Sequence, residues 1–145
     1  MGSEIRAKIK EFENKGWLSV NLIFEVLGAT KEIVEKSLKE HVEKLEKIKT
    51  CFLYEKNFSE IEEIERPIKK LEKGYSQFVE VKTMIRDVTT LFVIALSYGP
   101  SSIEITKPKK VELSMSELQD LANLVAGTIH KIAEIGLGGI VATPR

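Results

Sequence analysis

The chain has 145 residues, 43% of them hydrophobic, enough for one domain with a substantial core or for two small modules that share one. Lysine plus arginine and aspartate plus glutamate each number 22, so no whole-molecule field draws in nucleic acid or an anionic membrane, and such binding would need a local patch. The single cysteine, Cys51, excludes an internal disulfide and a multi-cysteine zinc site. With no apolar run of about 18 residues and no basic-then-apolar leader, the expectation is a cytoplasmic protein that does not enter the membrane. The charge is carried by 18 Lys against 4 Arg and 20 Glu against 2 Asp, a bias of the kind found in heat-adapted proteomes, so a thermophilic source is expected.

The first fifty residues read as three helices. Ile5, Ile9 and Phe12 in "SEIRAKIKEF" share one helical face behind a Ser3 cap, and Gly16 ends that helix. Ser19 is placed to cap a short, buried helix "VNLIFEVL", with Gly28 as its left-handed terminator. Thr30 then caps "KEIVEKSLKEHVEKLEKI", where Val34, Leu38, His41, Leu45 and Ile48 step by four, three, four and three. That is a coiled-coil-like seam with a histidine in one slot. Acid-first pairs such as Glu32 to Lys36 and Glu40 to Lys44 support the same helix from outside.

From Thr50 the pattern changes. The aromatic run "TCFLYEKNF" suits a strand in which Cys51 is an apolar residue, and "SEIEEIERPIKKLEKG" reads as a charged connector punctuated by Pro67 and Gly74. In "FVEVKTMIRD", Val79, Val81, Thr83 and Ile85 alternate with Glu80, Lys82, Met84 and Arg86, as in a strand with one buried face. Asp87 is an N-cap for the apolar helix "VTTLFVIALSY", which Gly99 and Pro100 close. Ser102 to Thr106 form a third strand with Ile103 and Ile105 on one face, Pro108 breaks it, and "KVEL" resumes a short fourth. "SMSE" at 114–117 fits a capping box, with Ser114 reaching forward and Glu117 back. Leu118, Leu121, Val125, Ile129 and Ile132 then stripe a last helix in which Gly127 suggests close approach of another backbone. "GLGG" at 136–139 follows a helix rather than preceding one, so it terminates the helix instead of cradling phosphate.

The expected architecture is α+β: an N-terminal three-helix, winged-helix-like module over 1–49, followed by a ferredoxin-like antiparallel sheet with helices on one face over 50–145. The element order of residues 50–135 resembles the ferredoxin-like class, which includes the small regulatory domains of the ACT and Lrp-type sensor families. "FVEVKTMIRD" followed by "YGPSSIEITKP" is similar to small archaeal proteins of unassigned function. "LSVNLIFEVLGATKEIVEKSLKEHVEKL" is similar to a winged helix-turn-helix, with the strand after it as a wing. Its second helix, however, opens Lys31, Glu32, Glu35, Lys36, and residues 1–50 hold ten basic and nine acidic side chains, so charge disfavours nucleic-acid binding.

For chemistry the material is thin. His41 and His130 lie on different helices with no acid at metal-ligand spacing, so no metal, cofactor or catalytic set is expected. His41 reads as a partly buried packing or register residue, and His130 as a boundary residue. In sensor domains of the resembled layout ligands lie at strand–helix junctions, which here implies Arg86, Asp87 and Thr89, with Ser101 and Ser102 as further candidates. The plain alternative is that Asp87 caps a helix and the serines satisfy a tight turn. Lys31, Lys36, Lys107, Lys109 and Lys110 are the candidate nucleic-acid contacts. The seam residues Val34, Leu38, His41 and Leu45, together with uncovered sheet edges, suggest a homodimer. The function expected is a non-enzymatic regulatory or protein-interaction module that binds itself, a protein partner or a small ligand. A DNA-binding regulator is the first alternative and an unfamiliar enzyme the second.

Overall fold

The computed structural model describes residues 2–68 and 71–136. The chain divides into a unit ending at Lys110 and a second beginning at Val111. The first contains α1 (Ser3–Asn14), β1 (Leu18–Gly28), α2 (Lys31–Glu46), β2 (Cys51–Phe58), β3 (Glu62–Ile68), β4 (Leu71–Ile85), α3 (Val88–Tyr98) and β5 (Ser102–Lys107), and the second contains α4 (Met115–Gly136).

All five strands join one antiparallel sheet in the order β2-β4-β1-β5, with β3 also pairing β4. β1 and β2 run parallel with β4 between them, and β4 and β5 run parallel with β1 between them. Helices α2 and α3 make the two crossovers. β2 and β3 act as one long strand interrupted at Ser59–Ile61, because both pair with the 15-residue β4 in the same sense.

Residues 18–28 are a strand, and this overturns the three-helix reading of the N-terminus. Leu18, Val20, Leu22 and Phe24 are buried, whereas Asn21 and Ile23 between them are only half-buried and Glu25 is exposed. That is a period of two, which a short apolar run can also hide within a helical pattern. The deciding factor is long-range: all eleven residues find register partners on β4, from Leu18 opposite Ile85 to Gly28 opposite Tyr75. Ser19 is therefore no cap, and its hydroxyl donates to Met84 Sδ at 3.3 Å. Nor is Gly28 left-handed. A Cβ there would stand 2.9 Å from Val34 Cγ2, so its small size admits α2 against the end of β1. With a strand between α1 and α2, the winged-helix arrangement falls, and residues on both sides of position 50 share one sheet and one core.

The core lies on one face of the sheet. Val20, Leu22 and Phe24 of β1, Val79, Val81 and Ile85 of β4, and Cys51 of β2 pack with Leu38, Val42 and Leu45 of α2 and Leu91 and Ile94 of α3. The row buried on α2 is Val34, Leu38, Val42 and Leu45, so Val42 takes the slot expected for His41, and Ile48 lies beyond the helix end at Glu46. The seam is taken up by the chain's own sheet, since Val34, Leu38 and Leu45 are each 0% exposed. α1 serves the opposite face. Phe52 alternates with the core residues Cys51 and Leu53, and its ring meets Phe12 at 5.4 Å, while Phe12 stacks on Trp17 at 4.0 Å. Gly16, at φ 87°, makes the reversal between α1 and β1. Ser3 is the first helical residue rather than a cap, and Gly2 holds the cap position without a side-chain bond.

The charged connector is also corrected. Residues 62–68 and 71–78 are strand, with Glu62 opposite Ser76 and Glu63 opposite Tyr75. β3 and the start of β4 pair with each other, from Glu62 opposite Ser76 to Ile68 opposite Leu71, so each half of a segment whose composition alone argues for a loop finds its partner in the other. Cross-strand charge helps, as Lys73 Nζ lies 3.6 Å from Glu63 Oε1.

In the second unit the capping box forms as read: the Glu117 amide donates to Ser114 Oγ and the Ser114 amide to Glu117 Oε1, each at 3.1 Å. The expected fourth strand is absent, since residues 111–114 take no regular structure. Among the described residues nothing lies within 4 Å of where a Cβ would stand on Gly127, so that glycine marks no close approach among them. "GLGG" beyond Gly136 lies outside the described residues.

Candidate functional site

The residues expected to hold a ligand are divided between the two ends of α3. At its start Asp87 Oδ1 accepts the Thr90 amide at 2.8 Å and Oδ2 accepts Arg86 Nε at 2.9 Å. Partial burial pushes the Asp87 carboxyl up, but the bonds from Thr90 and Arg86 outweigh it and hold the group below the usual range. Thr89 is exposed. At the far end the Ser101 amide and hydroxyl both donate to the Ile23 carbonyl, at 2.7 and 3.2 Å, and Ser102 pairs with Ile23 in the sheet. Eleven helical residues separate the sets by about 16 Å, and the side-chain hydrogen bonds of Asp87 and Ser101 serve the turns they build.

The candidate lysines fall in two sets, Lys31 and Lys36 on α2 and Lys107, Lys109 and Lys110 at and beyond the end of β5. Lys31 Nζ stands 5.8 Å from the Tyr75 ring centre, Lys36 is exposed on α2, and Lys107 Nζ lies 3.3 Å from Glu13 Oε2. Lys109 and Lys110 are exposed at the end of the first unit.

His41 is half-buried and acts as a clamp. Its Nε2 donates to the Tyr98 carbonyl at 2.8 Å, because a carbonyl can only accept, and its ring meets Phe24 and Tyr98 edge-on at 5.0 and 5.4 Å. Tyr98 O belongs to the last turn of α3, where carbonyls lack intrahelical partners, so α2 supplies the missing donor. His130 is exposed, with Nε2 3.3 Å from Glu134 Oε1. Cys51 is buried, and burial pushes its thiol up to about 12, which leaves it unreactive. Among the described residues no three His, Cys, Asp or Glu side chains converge as a metal site, and no helix is long and apolar enough to cross a membrane.

Two further features stand out as sites, the second expected only as an unspecified sheet edge. The first is a groove of about 330 Å³ between α2 and the sheet, lined by Glu35, Lys39, Val42 and Glu43 from α2, Lys56 and Phe58 from β2, and Gln77 from β4. It lies beside the break between β2 and β3. Ser59 staples that break to β4: its amide donates to the Phe78 carbonyl at 2.8 Å, its hydroxyl accepts the Phe78 amide at 3.0 Å, and its carbonyl accepts Gln77 Nε2 at 2.9 Å. Only the nitrogen of an amide can face a carbonyl, so this bond fixes the orientation of Gln77. Its Oε1 is buried without a hydrogen-bond partner among the described residues.

The second feature is the β5 edge. Every residue of β5 is exposed. Ile105 and Ile103 lie opposite Val20 and Leu22, which are 1% and 0% exposed, yet are themselves 51% and 42% exposed. The helical layer thus covers β1 and stops short of β5.

Comparison with known proteins gives a consistent picture. No solved structure matches the chain. The uncharacterized protein MJ0538 of Methanocaldococcus jannaschii is 26% identical over 126 residues, 87% of this chain and 44% of that protein, so the chain spans less than half of its relative's length. These findings point to a small archaeal family of unassigned function. The sequence profile of that family matches residues 19–144, from the start of the central strand β1 onward, and the chain belongs to the MJ0538 family.

Proposed function

We propose that this chain is a self-associating interaction module rather than a catalyst, built on a ferredoxin-like arrangement. The strand order β2-β4-β1-β5 with two interleaved crossovers supports that arrangement over residues 18–107, further toward the N-terminus than the element order implied. The observation that carries the functional reading is the β5 edge, where a strand with free backbone groups also exposes two isoleucines on the core face of the sheet.

The occupant is a second copy, joined antiparallel about a twofold axis. Opposed residues on such an edge must share a face, so the axis passes through a residue position. Centring it on Glu104 sets two carboxylates against each other, which is unfavourable. Centring it on Ile105 sets Ile105 against Ile105 and Glu104 against Thr106, and is the register proposed. Sedimentation across a concentration series tests it: the wild type is a dimer, and Ile105→Lys, which places two ammonium groups face to face, is a folded monomer. A wild-type chain that stays monomeric at the highest concentration overturns the reading, as does an Ile105→Lys chain that remains dimeric.

A further inference from the structure

We propose that the groove between α2 and β2 is a binding site for a neutral, planar heteroaromatic molecule with an exocyclic amino group, of the class of nucleobases and nucleosides. Three observations lead there. Its floor holds a buried acceptor: Gln77 is 7% exposed, its Nε2 is committed to Ser59 O, and its Oε1 has no partner among the described residues. A buried carbonyl-type oxygen is satisfied by an N–H donor, and the exocyclic amine of a heterocycle supplies one at the edge of a flat ring.

Beside it stands an aromatic wall. Phe58 is 40% exposed although it lies opposite the fully buried Val79, so its ring face is available to stack on a second ring. Val42 completes the apolar part of the lining. Oε1 is closed to solvent, so binding widens the floor of the groove while Phe58 keeps its place as the stacking wall.

The rim decides charge. Glu35 and Glu43 face Lys39 and Lys56, two acids against two bases, and Lys56 Nζ is already held 3.0 Å from Glu46 Oε1. A balanced rim gives no field to hold a phosphorylated ligand, so a nucleoside or free base fits better than a nucleotide. The volume, about 330 Å³, lies at the small end of ligand pockets and suits one such ring system.

The test is a titration of the full chain with adenosine, followed by amide NMR that resolves the Gln77 side-chain NH₂. Adenosine is expected to shift that resonance together with the Phe58 and Val42 amides. Purine riboside, which has hydrogen in place of the amino group, should bind about fivefold to tenfold more weakly, the effect of one neutral hydrogen bond. Gln77→Met keeps the shape and removes the acceptor, so it should erase the difference between the two nucleosides. Should that variant misfold, Phe58→Ala at a partly exposed position provides the second reading, with loss of adenosine binding and an unchanged fold. The proposal is overturned if adenosine up to its solubility limit leaves these resonances in place. Equal binding of adenosine and purine riboside, or a preference of the folded Gln77→Met variant for adenosine, overturns it as well.

Discussion

Gly28→Ala tests how β1 is joined to α2. The added Cβ would stand 2.9 Å from Val34 Cγ2, and since carbon atoms rest about 3.5–4.0 Å apart, the overlap is about 0.6–1.1 Å. Val34 has little room to yield, being 0% exposed in the first turn of α2, where a β-branched side chain is held to one rotamer. Overpacking of this kind costs about 1–3 kcal/mol, and replacing glycine recovers about 0.5–1 kcal/mol of unfolded-state entropy, leaving a net loss of about 1–2 kcal/mol. Urea denaturation followed by circular dichroism, with a lower midpoint at constant slope, measures it. Partner dependence is the sharper part. In a cycle with Val34→Ala, the double variant should be more stable than the sum of the single effects by about 1 kcal/mol, because the second change opens the space that the first one fills. A left-handed Gly28 would give a similar single loss and no such coupling. Additivity within about 0.5 kcal/mol would refute the packing argument.

Two further predictions concern titrating groups. Cys51 should resist thiol reagents in the native state and react on unfolding. Because burial raises its folded pKa to about 12, above the unfolded thiol, its contribution to stability is complete below the unfolded pKa and is lost between about 9 and about 12, which Cys51→Ala would remove from an alkaline denaturation series. Asp87→Ala should cost about 1 kcal/mol through loss of the cap to Thr90, while Asp87→Asn should retain most of it. As the Asp87 carboxyl is held low in the folded state, its advantage over alanine is present above the unfolded carboxylate pKa and narrows as pH falls through the folded value, which urea midpoints taken down the acid range would reveal.

Most local signals in the sequence read accurately, because the partners are close along the chain; Ser3 is an exception, since Gly2 holds the cap position of α1. Thr30 accepts the Ile33 amide at 3.2 Å, Asp87 caps Thr90, Gly99 turns left-handed at φ 57°, and Ser114 with Glu117 closes the capping box. Each is settled within four residues. The misread stretches are settled by strand pairing, residues 18–28 by a strand far along the chain and residues 62–68 and 71–74 by each other. β1 is a strand because β4 lies sixty or so residues on, and the "connector" is strand because β3 and the start of β4 pair with each other. The seam on α2 has the right face but one wrong member. From Leu38, both 41 and 42 lie at helical spacing, and only the sheet decides that Val42 enters the core while His41 reaches Tyr98. The groove was illegible for the same reason: its lining comes from 35–43, 56–58 and 77, and Gln77 meets Ser59 across eighteen residues at a strand break that composition did not announce.

The same topology makes the two functional proposals separable. β5 forms one edge of the sheet and β2 the other, with β1 and β4 between them, so three strand spacings of about 4.8 Å, or about 14 Å, lie between the strands involved. Nothing in the groove lies on β5, and no residue of β5 lines the groove. Ile105→Lys should therefore abolish the dimer while leaving the adenosine titration unchanged, and Gln77→Met should alter the titration while leaving the mass in solution unchanged. Changes more than about 7–10 Å apart with no shared partners act additively, so the double variant should show both losses at their single-variant sizes. If Ile105→Lys weakens adenosine binding, the two edges are coupled through β4 and β1, and the sheet transmits between them rather than holding them apart.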